Sequence, residues 1–132
     1  MDKMNYAPLA GKFRPLNFSI EVMFDAADKF GSISNVFERL EKESRESGEC
    51  IEWLLLHMAN DAELVRRREG YDHDILLTEE DVKIKNPAYY MIYKAAVTEA
   101  LNLGYSREVE DTKGEIDLGL QELKEKKEKA GA

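Results

Sequence analysis

A single cysteine, Cys50, stands in 132 residues. No internal disulfide can form, and no cysteine pair offers a zinc site. That cysteine usage predicts a reducing compartment. No apolar run approaches the roughly 18–20 residues that a membrane-crossing helix needs. The stretch from Met1 to Leu16 lacks the apolar centre of a signal peptide. Basic residues are outnumbered, 19 against 27 acidic, for a formal net charge of −8. Gripping a phosphate backbone takes clustered Lys and Arg, so nucleic acid is not the expected partner. No phosphate-cradling glycine loop, nucleophile elbow or zinc signature occurs. These absences predict a soluble, cytoplasmic, non-enzymatic protein without cofactor or metal. Its length fits one domain in the range of roughly 100–150 residues.

Helical spacing is what the chain does have. Residues 1–11 read as a loose leader ending in Gly11, and Lys12–Phe18 as a short edge strand interrupted by Pro15. Phe13 and Phe18 are its expected anchors. Ser19 is a natural N-cap for a helix over 19–30, which Gly31 ends. Ser34 is placed to cap a second helix over 33–46, closed by Gly48. The most apolar segment, Cys50 to Ala59, is rich in Leu and Met and poor in β-branched residues, so helix is favoured over strand. It continues to Gly70, with a possible break at Asn60-Asp61. Tyr71–Asp74 reads as a loop, and Thr78–Asp81 as the acidic start of a short helix. Asn86-Pro87 opens a long helix bearing Tyr89, Tyr90, Ile92, Tyr93, Ala96, Val97, Ala100 and Leu101, with Gly104 as its end. The fold class is therefore mainly α: a compact multi-helix domain over 1–104, with a short N-terminal extended segment. Residues 105–132 are expected to be a charged, polar, helical tail, frayed or mobile in the free monomer.

Each chemistry-bearing residue has a plain structural reading. Asp72, His73 and Asp74 are metal-ligand types, but neighbours in a loop rarely converge on one ion, and a solvated turn is expected. His57 sits in the apolar segment beside Trp53 and reads as a core-edge histidine. Cys50 is flanked by Glu49 and Glu52, which disfavour a thiolate. Arg66-Arg67-Arg68 fans out over about 200–300° of helix arc and suits a helix C-terminus. Tyr89, Tyr90, Tyr93 and Tyr105 are dense enough to mark an interface or a core rim. In the tail, Leu118, Leu120 and Leu123 join Ile116 as a candidate docking element. The expected partner-binding residues are thus Tyr89, Tyr90, Tyr93, Leu118, Leu120 and Leu123.

The order of these elements is also familiar. The lead Lys12-Phe13-Arg14-Pro15-Leu16-Asn17-Phe18 enters the helix Ile20-Glu21-Val22-Met23-Phe24-Asp25. A small helix with an acidic end follows, then Trp53-Leu54-Leu55-Leu56-His57-Met58, the turn Leu77-Thr78-Glu79-Glu80-Asp81-Val82, and a long C-terminal helix. Over about residues 12–104 this layout resembles the tail assembly chaperones of long-tailed siphophages and their prophages. The resemblance implies a mainly helical, non-catalytic protein made in the host bacterial cytoplasm. Its implied partners are the tape measure protein, which such chaperones coat, and the tail tube protein, whose subunits they help recruit. A homo-oligomer is a separate expectation. Many members have a longer form made by ribosomal frameshifting, and Lys126-Lys127 is a pair that an adenine-rich slippery run encodes. The polar stretch 105–132 departs from the family pattern.

Two other readings compete. The arginine run and the helical pattern suit a small phage or bacterial regulator that binds DNA or a DNA-binding protein. An enzyme built on His57 or His73 is the third.

Overall fold

The computed structural model describes residues 5–105. The segment expected to be a loose leader is instead a strand. β1 (Asn5–Leu9) pairs antiparallel with β2 (Lys12–Leu16), with Asn5 opposite Leu16 and Leu9 opposite Lys12. Ala10 and Gly11 both adopt positive φ, 52° and 83°, the backbone of a two-residue type I′ turn. Ala7, Leu9, Arg14 and Leu16 face inward. Phe13 lies on the opposite face and is 72% exposed, so Phe18 alone of the two expected anchors reaches the core.

α1 (Ile20–Phe30) has the expected limits. The Val22 N–H donates to Ser19 Oγ at 3.2 Å, and the Gly31 N–H to the Ala27 carbonyl at 2.8 Å. α2 is shorter than expected, Ile33–Glu41, and is capped by Ser32 rather than Ser34. The expected helix over 33–46 divides because Ser44 starts a new one: the Ser47 N–H donates to its hydroxyl at 3.2 Å. α3 (Arg45–Arg68) therefore contains Gly48 instead of following it, and it runs unbroken through Asn60-Asp61. The side chains of these two residues do not compete with the helix backbone, because they bond elsewhere: Asn60 to Leu77 and Asp61 to Asn17.

After α3 the chain turns back along the helix without regular structure until a 3₁₀ turn, Glu79–Val82. α4 follows over 87–105, opened by Asn86, whose Oδ1 accepts from the Tyr89 N–H at 3.0 Å. Gly104 lies within α4 and does not end it. Its role is close approach: a Cβ there would come within 2.9 Å of Phe18.

α3 is the axis of the molecule. Its buried residues Ile51, Leu54, Leu55 and Met58 share one core with Ala7, Leu9 and Leu16 of the hairpin and Val22 of α1. Val36 of α2 and Val97 and Leu101 of α4 complete that core. Cys50 is buried in it. Polar ties lock the periphery. Tyr93 donates its hydroxyl to the Pro8 carbonyl at 2.7 Å, and Asn5 donates to the Ala96 carbonyl, so α4 is fastened to the hairpin.

Candidate functional site

Side chains of α3 hold the returning strap at successive points. The Glu63 carboxylate accepts from the Asp74 N–H at 2.8 Å. Asn60 makes two bonds to the Leu77 backbone, at 2.7 and 3.0 Å. Glu52 accepts from the Ile84 N–H at 2.9 Å. An irregular segment is thereby satisfied as a strand would be, with side chains standing in for a neighbouring backbone.

The ionic centre of this lacing is Glu63, which is buried. Arg66 and Arg67 donate to its two oxygens at 2.9 and 3.0 Å. Burial pushes the Glu63 carboxyl up, but the Asp74 N–H and the Arg67 and Arg66 guanidinium groups outweigh it, and the pKa falls below the ordinary value. Arg67 also donates to the Asp74 carbonyl at 2.8 Å. The Asp74 carboxylate pairs with Lys12 and faces buried Arg14, which donates to the Ile75 carbonyl at 2.6 Å. Lys12 leads the causes that hold the Asp74 carboxyl low, against its own desolvation. Of the expected arginine run, two members are thus committed within the fold. Among the described residues every buried side-chain N or O atom has a partner.

His57 and His73 are not brought together. His57 stacks on Trp53 with ring centroids 3.8 Å apart. Burial lowers its pKa, and the Asp25 charge opposes that shift. His73 lies exposed on the strap. Asp74 is drawn into the ion pairs while Asp72 stays in solvent, and among the described residues no three His, Cys, Asp or Glu side chains gather as metal ligands. The Cys50 thiol is pushed up to about 11, chiefly by burial, with Arg39 a weaker opposing influence. His57 borders a cleft of about 690 Å³ between α1 and α3, whose rim carries Glu21, Asp25 and Asp61.

The expected partner-binding tyrosines divide by geometry. Tyr93 is buried against Pro8. Tyr90 donates its hydroxyl toward the Lys42 carbonyl and Ser47 Oγ, tying α4 to the α2–α3 junction. Tyr89 is exposed and packs its ring 5.4 Å from that of Tyr93. Leu118, Leu120 and Leu123 lie outside the described residues.

Sequence reading missed the apolar surface beside Tyr89. Tyr93, Ala96, Val97, Ala100 and Leu101 form the buried stripe of α4. Away from that stripe, Ala88, Met91, Ile92 and Ala95 are all exposed, Met91 by 60% and Ile92 by 46%. The signal was present in the period: once residues 93, 96, 97, 100 and 101 face inward, 88, 91 and 95 must face outward. This apolar strip continues over two turns, unlike the scattered single exposures common on any surface.

No helix among the described residues is long and apolar enough to cross a membrane. No family model, curated protein or solved structure matches the chain.

Proposed function

We propose that this protein is a non-catalytic helical assembly chaperone of the phage tail type. Its client is the tape measure protein, and the tail tube protein is its second partner. The observation that carries the reading is the exposed strip Ala88–Met91–Ile92–Ala95 on α4, with Tyr89 at its edge. A tape measure chain presents long apolar helical surface before the tube encloses it. Short apolar strips on many copies of a chaperone cover such a surface through weak, renewable contacts. The net charge of −8 keeps a loaded assembly soluble by like-charge repulsion. The resemblance in element order supplies the identity of the client, and the host bacterial cytoplasm is where such an assembly forms.

The test is co-expression with the very long tape measure gene expected beside this one. The reading predicts that the tape measure protein becomes soluble and co-purifies. Failure of both overturns it. The regulator reading keeps the helical pattern and exposed Arg68, while Arg66 and Arg67 are engaged with Glu63. A salt-dependent retardation of duplex DNA would favour it over the chaperone reading.

A further inference from the structure

α1 presents two rails along its outer surface. Ile20 and Phe24, one turn apart, are 44% and 56% exposed. Beside them Glu21 and Asp25, also one turn apart, face the cleft toward α3, where Asp61 adds a third carboxylate and Arg67 and Arg68 also line the wall. An occupant that fits has an apolar stripe bordered by cations.

This chain contains such a segment. Projected at 100° per residue, Ile116, Leu120 and Leu123 fall within about 40° of one line. Lys127 falls on the same line, and Lys124 and Lys126 within about 80° on either side of it. Glu122, Glu125 and Glu128 fall at about 120° or more from it. Three lysines thus lie nearer the apolar stripe than these three glutamates, while Asp117 falls at about 100° from Ile116 and Lys129 on the far side.

The path of the chain points to the same place. The last described residue, Tyr105, stands against α1: its hydroxyl lies 3.6 Å from Met23 Sδ and its ring 5.7 Å from that of Phe18. Ile20 borders the same niche as Tyr105. Residues 106–115 span up to about 35 Å when extended, ample to set residue 116 on α1. A tether this short gives an effective concentration on the order of millimolar, which favours the chain's own segment over one from another copy.

We propose that residues 116–127 dock on α1 of their own chain, with Ile116, Leu120 and Leu123 on Ile20 and Phe24 and the lysines on Glu21, Asp25 and Asp61. This surface is separate from the α4 strip, so the docking stands or falls independently of the client reading.

The test uses the full chain with Leu118→Cys carrying a nitroxide. Residue 118 projects away from the stripe, and buried Cys50 is shielded from the reagent. In the isotope-labelled protein the amide signals of Ile20, Phe24 and Asp25 should lose most of their intensity. Lys124→Glu with Lys127→Glu should restore them, and adding Glu21→Lys with Asp25→Lys should bring the loss back. Full intensity at these amides overturns the proposal, as does a loss indifferent to charge reversal or one centred on α4. Equal loss in a nitroxide-free labelled chain, mixed with nitroxide-bearing unlabelled chains, assigns the segment to a second copy and also overturns it.

Discussion

The Asp74 N–H donates to the Glu63 carboxylate at 2.8 Å, so one buried acid both ends an ionic cluster and fixes the strap that follows α3. Glu63→Ala leaves that N–H without its acceptor and frees two arginines. The arginine side chains are 32% and 29% exposed, so they regain water and the loss stays below that of stranding a fully buried charge. The expected cost is about 1–3 kcal/mol. Urea unfolding should show it as a lower midpoint. Glu63→Gln, which keeps an acceptor for Asp74, should lose less than Glu63→Ala.

Stability should fall with acid in two windows. Burial holds the folded-state pKa of His57 below its ordinary value, so the unfolded chain takes up the proton first. Its contribution is present above about pH 6.5 and is lost as pH falls through the lower folded-state value. Glu63 and Asp74 also have lowered folded-state values. Their contribution is complete above about pH 4–5 and is lost as pH falls through their folded-state values. Urea midpoints measured between pH 7 and 3 should show both declines. His57→Gln should flatten the upper window alone, and Glu63→Gln should shrink the lower. An upper decline that survives His57→Gln contradicts the assignment.

Gly48 lies in the early part of α3, and a Cβ built there meets nothing within 4 Å. Gly48→Ala should therefore stabilise the protein by about 0.5–1 kcal/mol through the unfolded state. Thermal unfolding should show a rise of a few degrees. A fall would mean that the start of α3 is under a constraint other than helix propensity.

Gly48 also shows where sequence reading reached its limit. Capping chemistry was legible wherever one residue decides: Ser19 and Gly31 bound α1, and Asn86-Pro87 opens α4. At 44–48 two signals compete. Ser44 offers a cap and Gly48 a stop, and packing of buried Ser47 and Cys50 decides for the cap. The hairpin was hidden because its type I′ turn uses Ala10 where Asn or Asp is usual, and Pro8 and Pro15 weaken both strands as read. In sequence Gly104 reads as a terminator, because close approach to Phe18, eighty-six positions earlier, leaves no local trace. Of the candidate site, Tyr89 was legible and the strip beside it was not, since it emerges only when the buried face of α4 is fixed. The lacing of the strap by Glu52, Asn60 and Glu63 is non-local in the same way.

The proposed client-binding face is the α4 strip. Met91 and Ile92 are exposed, so Met91→Lys with Ile92→Lys should change folding stability by no more than about 0.5 kcal/mol per site. The decisive measurement is the amount of soluble tape measure protein recovered with the wild-type chain and with this double variant, co-expressed at equal levels. If the strip binds the client, tape measure protein co-purifies abundantly with the wild type and hardly at all with the folded variant. Equal recovery with both chains would contradict that role.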